Sequence, residues 1–255
     1  MATQSFELRE FFHLALLRHL GARLSGRSYA VKGGICLRFF HRSPRLSEDM
    51  DLDIVSQVRA ETLRNAVDSV IEGRAMLAAL MPAGVVGITA TKPKQTETTQ
   101  RWKVMLRMGG NESLPTKVEF SRRRDQIRYS TGMPDAQLLR QYKMSPFAAQ
   151  FYDAACMSAQ KISALAAPTR NAMRDLFDLH HLFFTIGSKP EEVRPLLEPG
   201  VPEAALDKVR AFSFRDFKEQ VLPYLTAEMM DLYRDSSVFD RQKDEVAHTL
   251  IGMMK

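Results

Sequence analysis

Residues 29–54 constrain the fold of this chain more than any other stretch. They open with an apolar run at 29–31, turn through Gly33 and Gly34, and continue into a helical run at 35–40. The stretch ends in a segment where acidic and apolar residues alternate. Because successive side chains of a strand point to opposite faces, this alternation predicts a strand with one packed face and one acidic face. The sequence therefore predicts a strand, a glycine turn, a helix and a second strand in immediate succession.

The acidic face of this second strand has the composition of a metal site. The alternating positions are Ser47, Asp49, Asp51 and Asp53 on one parity, and Met50, Leu52 and Ile54 on the other. Carboxylates at this spacing can hold Mg²⁺, which takes oxygen ligands and keeps substrate phosphates in its shell. The glycines let the backbone approach phosphates, and the N-terminus of the helix offers unpaired N–H groups. The stretch predicts a two-ion magnesium site that takes a nucleoside triphosphate; the alternative is a glycine turn followed by a solvated acidic strand.

Composition narrows the class of protein. The 255 residues carry a net charge of +6, which favours a polyanionic partner. Cys36 and Cys156 both lie in apolar helical runs, so we expect buried thiols in a reducing compartment. No run is apolar for the length of a membrane span, and the start of the chain lacks the pattern of a signal peptide. We therefore expect a cytoplasmic protein with no membrane partner.

Residues 84–121 change to the two-residue period of strands. After a first strand and a polar turn, a second strand alternates the basic residues Arg101, Lys103 and Arg107 with the apolar residues Trp102, Val104, Leu106 and Met108, and Lys92 and Lys94 lie nearby. Such a hairpin would present a basic face opposite its packed face. The functional hypothesis is a track for a nucleic-acid backbone, and the alternative is ordinary solvated charge.

A third carboxylate follows one hairpin later. In the strand predicted at 117–121, Val118 and Phe120 take the apolar parity, so Glu119 takes the other. Beside the aspartate pair it would complete a set of three metal ligands, whereas alone it would be an ordinary surface residue. The strand is followed by three basic residues that could meet a triphosphate or a nucleic acid, namely Arg122, Arg123 and Arg124.

These patterns together predict an α+β chain of two domains. Amphipathic helices are expected at 5–24 and 60–80, flanking a small mixed β-sheet, which gives a first domain at residues 1–140. In the rest of the chain apolar residues recur at helical spacing to the end. That recurrence predicts an all-helical second domain at residues 141–255.

These features resemble the AbiEii/AbiGii toxin family of nucleotidyltransferases, within the polymerase-β-like superfamily. The resemblance covers roughly residues 29–185 and rests on four blocks: Lys32-Gly33-Gly34 with Leu37; Arg45-x-Ser47-x-Asp49-x-Asp51; Lys161 with Ala164-Leu165; and Arg174-Asp175-Leu176-Phe177-Asp178-Leu179. The second and fourth blocks are specific in combination. The resemblance implies a nucleotidyltransferase domain followed by a helical domain that completes the active-site cleft.

The resemblance also implies a role for each matched residue. Metal ligands would be Asp49 and Asp51, with Glu119 as a less closely matching third acid and Asp53 as a neighbour. Nucleotide contacts would come from Lys32, Gly33, Gly34, Arg45, Ser47 and Lys161. Asp175 or Asp178 would position a substrate hydroxyl or hold Lys161, so the catalytic set is Asp49, Asp51, Lys161, Asp175 and Asp178. For the last three, the alternative is a surface lysine and a solvated helix ion pair.

The function implied by the resemblance is that of a toxin in a toxin–antitoxin or phage-defence system. Using Mg²⁺, it would transfer a nucleoside monophosphate from a nucleoside triphosphate (NTP) to RNA, with the tRNA 3′ end as the expected acceptor, and so block translation. A cognate antitoxin would neutralise it. Two alternatives stay open. One is transfer to a protein or to a small molecule such as an antibiotic, and the other is a non-catalytic module that binds nucleic acid.

Overall fold

A computed structural model describes residues 2–110, 112–122, 128–170 and 172–254. Arg123 and Arg124, which the sequence marked as possible phosphate contacts, lie outside these ranges. The chain divides into two compact units. The first comprises residues 1–40 and 46–151, and the second comprises residues 41–45 and 152–255.

The first unit contains helices and all the strands of one sheet. Its described elements are α1 (Ala2–Leu20), β1 (Tyr29–Lys32), α2 (Gly33–Phe40), β2 (Asp49–Ile54), α3 (Ala60–Ile71), α4 (Arg74–Leu80), β3 (Val85–Gln95), β4 (Thr99–Met108), β5 (Ser113–Ser121), β6 (Tyr129–Gly132), α5 (Ala136–Gln141) and β7 (Ala149–Tyr152). The unit extends to residue 151, whereas the sequence placed the boundary at 140/141, because Phe151 of β7 pairs with Val31 of β1.

The sheet is mixed and has seven described strands in the order β3-β4-β5-β2-β1-β7-β6. β2 pairs antiparallel with β1 and parallel with β5, while β3, β4 and β5 pair antiparallel in succession. The sheet is larger than the small one predicted, because β7 lies in the part that the sequence assigned to the helical domain and β6 is a short strand that the sequence did not predict. The mixed α/β class is confirmed.

The apolar face of the central strands forms the core of the first unit. Side chains on this face are at most 4% exposed, at Met50, Leu52, Ile54, Trp102, Val104, Leu106, Val118 and Phe120. The indole N–H of Trp102 donates to Asp68 Oδ1 on α3 at 2.8 Å, which holds that helix against the face. Since full burial of one large apolar side chain contributes about 1.5–3 kcal/mol, this face is committed to packing. The opposite face of the same strands is left for polar chemistry.

The described elements of the second unit are helical after Tyr152. Its α-helices are α6 (Ala154–Ala166), α7 (Arg174–His180), α8 (Pro190–Val193), α9 (Val201–Ala211), α10 (Phe214–Gln220), α11 (Ala227–Asp231) and α12 (Ser237–Gly252), and a π-helical turn follows α7 at His181–Ile186. An aromatic cluster fills the core, with the Phe217 ring 4.7 Å from Tyr233 and 5.5 Å from Phe239 between ring centroids.

Two further sequence expectations concern cysteines and membranes. Cys36 and Cys156 are both buried in the thiol form, as expected. Across the described residues, no helix combines the length and apolarity that crossing a bilayer requires.

Candidate active site

The acidic positions of β2 lie on one face of the sheet together with charged residues of the neighbouring strands. In the register, Asp49 is opposite Lys117, and Asp51 is opposite both Lys32 and Glu119. Because residues directly opposite each other in paired strands project to the same face, these five side chains form one charged surface. The predicted separation into an apolar and an acidic face is therefore present, and the acidic face also carries cations.

Asp49 is the more accessible of the two aspartates. Its side chain is 43% exposed, and its Oδ2 lies 3.1 Å from the ammonium of Lys117. The hydroxyl of Ser47 donates to the backbone carbonyl of Asp49 at 3.2 Å, so Ser47 fixes the start of the strand. Lys117 is a site residue that the sequence analysis missed. Its parity with Glu119, two positions later on the same strand, is the signal that identifies it.

Asp51 is more enclosed, and its electrostatic surroundings are mixed. Burial is the main cause of a pKa above the ordinary value for an aspartate. The cations Lys117 and Lys32 oppose this increase in the pKa. The neighbouring carboxylates of Glu119 and Asp49 add to it. A further cation placed among these carboxylates would favour the ionised form of Asp51.

Gly33 contacts Asp51 at the start of α2. Its φ of +69° lies in the left-handed region, and a Cβ at this position would lie 3.0 Å from Asp51 Oδ2. The glycine is needed for both reasons, since an L side chain is strained at this φ and would crowd the carboxylate. Gly34 follows in the first turn of the same helix. The glycine turn and the acidic strand, separated in sequence, are thus in direct contact.

Asp53 differs from Asp49 and Asp51 because its carboxylate is engaged inside the protein. Its side chain is fully buried, and its Oδ1 accepts a bond from the ammonium of Lys32 at 2.6 Å. The hydroxyl of Ser121 bonds to the same oxygen, and the Lys32 ammonium also donates to Ser121 Oγ at 2.6 Å. Asp53 therefore belongs to an internal ion pair beside the two candidate ligands. Lys32, predicted as a nucleotide contact, compensates the buried charge of Asp53.

Glu119 lies beside Asp51 in the register, and its carboxylate is bound by an arginine. Arg101 Nε donates to Glu119 Oε2 at 2.5 Å, whereas Oε1 accepts from none of the described residues. Within the described ranges, no group of three or more His, Cys, Asp or Glu side chains is arranged to hold a metal ion. The donor set that remains, two aspartates on one strand face, suits Mg²⁺, which completes its shell with water and phosphate oxygens.

The remaining predicted residues form a buried ion network in the second unit. Arg45 donates to Asp178 through Nε at 2.8 Å and through Nη2 at 2.7 Å, which is a bidentate pair. The ammonium of Lys161 lies 2.7 Å from both Asp178 Oδ2 and Asp175 Oδ1. Arg170 closes the chain by donating to Asp175 Oδ2 at 2.8 Å. The lysine on α6 is thus clamped between two aspartates of α7.

Mutual attraction keeps this network ionised. Burial alone would raise the pKa of Asp178, but the charges of Arg45 and Lys161 hold that pKa well below its usual range. The pKa of Asp175 is lowered in the same way, against its burial, by Lys161 and Arg170. Since Lys161 is 7% exposed, it is neither a snorkelling surface lysine nor part of a solvated ion pair. The structure thus contradicts that alternative for the trio.

Arg122 makes polar contacts within the first unit. Its Nη2 donates to Gln100 Oε1 at 2.9 Å and to the Val58 carbonyl at 3.3 Å. The structure thus gives the first of the three predicted arginines a structural contact.

The sequence comparisons bear directly on this arrangement. A family model described as "Nucleotidyl transferase AbiEii toxin, Type IV TA system" matches residues 15–243. The chain belongs to the AbiEii family. The resemblance inferred from the motifs is confirmed, and the protein is a nucleotidyltransferase of the toxin type. No sequence among the curated proteins matches the chain.

Solved structures share the fold at low sequence identity. MenT4, a nucleotidyltransferase toxin from Mycobacterium tuberculosis H37Rv, is 16% identical with a TM-score of 0.61, over 99% of this chain and 95% of its own. JHP933 from Helicobacter pylori is 18% identical with a TM-score of 0.55, over 95% of this chain and 90% of its own. At these identities the likeness concerns the fold of this AbiEii member.

Proposed function

We propose that the protein is the toxin of a type IV toxin–antitoxin pair. It transfers a nucleoside monophosphate from an NTP to the 3′ end of an RNA, with tRNA as the acceptor, and thereby blocks translation. In this reaction the terminal hydroxyl oxygen of the RNA forms a bond to the α-phosphorus. The bond from that phosphorus to the β-phosphate oxygen breaks, pyrophosphate leaves and the hydroxyl proton is released.

One observation carries the proposal. Asp49 and Asp51 lie on the same face of β2, and Gly33 at the start of α2 approaches the Asp51 carboxylate. Carboxylates therefore adjoin backbone N–H groups that can bind phosphate, which is the combination that nucleotidyl transfer needs. Asp49 and Asp51 would hold Mg²⁺, and Glu119 would lie beside them as an acid already paired with Arg101. Bound there, the metal would polarise the α-phosphate and lower the pKa of the attacking hydroxyl.

The other matched residues have proposed roles in binding and charge neutralisation. Gly33, Gly34 and Ser47 would contact the phosphates. Lys161 would neutralise negative charge on the triphosphate. The 2.7 Å contacts to Asp175 and Asp178 support a role for both aspartates in holding that ammonium in one position. Arg45, bonded twice to Asp178, would act by fixing this carboxylate. The unit formed by residues 1–40 and 46–151 would be the nucleotidyltransferase domain, and the unit formed by residues 41–45 and 152–255 its helical companion.

The experiment is a transfer assay with each of the four α-labelled NTPs, Mg²⁺ and total tRNA. We expect label in RNA with at least one nucleotide, and none when EDTA removes the metal. Sequencing of the labelled RNA should place the addition at the 3′ end. Label in protein or in a small molecule instead of RNA would contradict the RNA acceptor, and no transfer to any acceptor would contradict the catalytic proposal.

The antitoxin is tested separately in cells. Expression of the toxin should arrest growth, and co-expression of the neighbouring gene should restore it. In the proposed pair, growth is restored because the neighbouring gene product neutralises the toxin, and not because less toxin is made. Immunoblotting of the toxin checks that its abundance is unchanged. Unrelieved arrest at equal toxin abundance would contradict that assignment of the partner.

A further inference from the structure

We propose that the exposed face of β3, β4 and β5 beside Asp49 binds the sugar–phosphate backbone of the RNA acceptor. We name this surface, defined by Thr89, Thr91, Lys103, Met105, Arg107 and Lys117, the strand track. The inference rests on the proposed function, because it assigns the binding surface of the acceptor used in that reaction. The inference further specifies which residues bind the acceptor and that they bind its phosphates.

The register connects this surface to the candidate metal site. Thr91 of β3 is opposite Lys103 of β4, which is opposite Lys117 of β5, which in turn is opposite Asp49. These four residues therefore form one row across the sheet on the face that carries the aspartates. Since neighbouring strands lie about 4.8 Å apart, Lys103 is roughly 10 Å from Asp49 along the row. That is the scale of one or two nucleotides of an RNA strand.

The charges of the strand track differ from those next to the aspartates. Lys117 pairs with Asp49, and Arg101 pairs with Glu119. By contrast, Lys103 and Arg107 are exposed, and no carboxylate among the described residues pairs with either. These two cations are therefore available to phosphates without first breaking an internal ion pair.

The guanidinium of Arg107 lies against β3 at Gly87. A Cβ on Gly87, its partner on β3, would lie 2.6 Å from Arg107 Nη2. The absence of a side chain at Gly87 thus lets the guanidinium lie against the strand. Its charge is thus exposed on the face of the strand track, where a phosphate can approach it.

An open concavity follows the same path. A cavity of about 660 Å³ is lined by five residues of the strand track, Thr89, Thr91, Lys103, Met105 and Lys117, whereas Arg107 lies outside it. The other lining residues are Arg9, Glu48, Asp49, Val104, Pro115 and Thr116. The carboxylate of Glu48 lies 3.5 Å from Arg9 Nη1, so its charge is partly balanced. Threonine hydroxyls and lysine ammonium groups supply donors, and none of the described lining residues is aromatic. The chemistry is that of phosphate binding without base stacking, so affinity should depend on salt and not on RNA sequence.

The prediction that Lys92 adds to the basic face of the hairpin is wrong. Lys92, expected to add to the basic face, bonds instead to Asp68 Oδ2 on α3 at 2.7 Å. The register of β3 shifts between Thr91 and Lys94, and Lys94 is opposite Arg101. Lys94 therefore returns to the face of the strand track, while Lys92 belongs to the packed side.

The test measures binding without catalysis. Fluorescence anisotropy with end-labelled tRNA, in the absence of NTP, compares the wild type with the double variant Lys103→Gln/Arg107→Gln. We expect at least tenfold weaker binding. The slope of log affinity against log salt should also fall by about 1.4, since each released charge contributes about 0.7 on single strands. The charge-retaining variant Lys103→Arg/Arg107→Lys should keep most of the affinity.

Matched controls separate this surface from net charge. Arg23→Gln/Arg74→Gln removes the same charge at exposed positions of the same unit, and we expect unchanged RNA affinity. Equal weakening by both double variants would overturn the proposal, as would an unchanged affinity of Lys103→Gln/Arg107→Gln. In the transfer assay, the KM for tRNA should rise and the KM for NTP should not.

The outcomes also distinguish the two proposals. If the wild type labels RNA but loss of Lys103 and Arg107 changes only the KM for NTP, the surface binds triphosphate, and the track is wrong while the function stands. If the wild type transfers nucleotides only to protein and binds no tRNA, the RNA acceptor and the track are both contradicted.

Discussion

The ammonium of Lys32 lies 2.6 Å from Asp53 Oδ1, and both side chains are buried. This pair divides the acidic face of β2 into two parts. Asp53 is compensated by a lysine from the neighbouring strand, while Asp51 lies beside Gly33 and Asp49 beside Lys117. In the proposed function, Asp49 and Asp51 bind the metal, and Asp53 belongs to an internal ion pair.

The first prediction follows from this pair. Lys32→Met leaves the Asp53 carboxylate buried without its cation, and removing one partner of a buried ion pair costs about 3–5 kcal/mol. Urea unfolding followed by circular dichroism should show that loss in the free energy of unfolding. Lys32→Met/Asp53→Asn should recover much of it, because no uncompensated charge remains. Equal stability of Lys32→Met and wild type would show that the pair has no structural role.

The second prediction concerns Gly33. Gly33→Ala forces a Cβ into a left-handed backbone and to within 3.0 Å of Asp51 Oδ2. We expect a cost of about 1–2 kcal/mol from the backbone alone, and a loss of transfer activity because the carboxylate must move. Gly26→Ala is the matched control, since a Cβ there meets nothing within 4 Å. Similar stability and activity for the two variants would contradict the proposed contact.

The third prediction concerns the buried network. Asp178→Asn removes the anion shared by Arg45 and Lys161, so the buried Arg45 guanidinium loses this carboxylate while Lys161 keeps Asp175. We expect a loss of about 3–5 kcal/mol in the free energy of unfolding. The control Asp207→Asn, at an exposed position of α9, should change it by less than about 0.5 kcal/mol. Equal effects of the two substitutions would show that the network adds nothing to stability.

Acid sensitivity gives the fourth prediction. His13 is fully buried, and its Nε2 lies 2.8 Å from Thr116 Oγ1, which donates to the Glu48 carbonyl. Burial, with a smaller effect of Arg9, lowers the pKa of His13 to about 3. The unfolded chain therefore binds one more proton than the folded chain between pH 6.5 and about 3. Stability from this histidine is present above pH 6.5 and is lost as the pH falls, at up to about 1.4 kcal/mol per pH unit.

Urea unfolding at several pH values tests this sign. His13→Gln keeps an N–H donor but cannot titrate, so the decline in stability between pH 6 and pH 4 should be shallower than in the wild type. His41 and His181 also have a lowered pKa, mainly through burial. These two histidines should therefore cause part of the decline in stability that remains in His13→Gln. His248→Gln, at an exposed position of α12, is the control. A slope unchanged by His13→Gln would mean that His13 is not the neutral buried group inferred here.

The two-residue alternation of apolar and polar side chains made the longer strands of the first unit predictable from the sequence. At 49–52 and 101–107, every second side chain is buried, and a packed face of this kind leaves alternation in the sequence. β6 and β7 have four residues each, too few for a period, and β7 is fixed by its pairing with β1. The shift in register of β3 between Thr91 and Lys94 is equally local and invisible in composition, and it separates Lys94 from Lys92, which keeps the parity of the packed side.

Long-range ion pairs were the part that the sequence could not supply. The family blocks contain Arg45 and Asp178, but these residues are 133 positions apart, and local spacing does not indicate that they bond. The same holds for Lys32 with Asp53. The alternation of residue types in the sequence identifies which side chains of a strand share a face. Which of them form an ion pair depends on the tertiary fold, which brings residues distant in sequence together.

The most direct test of the central claim is the rate at which Asp51→Asn transfers nucleotide to tRNA at saturating Mg²⁺ and NTP. If Asp49 and Asp51 hold the metal, we expect a loss of at least about 10³-fold, equivalent to about 4 kcal/mol of barrier. Asp207→Asn should retain full activity, and circular dichroism should show Asp51→Asn to be folded. Folded Asp51→Asn with a rate within twofold of the wild type would contradict the account.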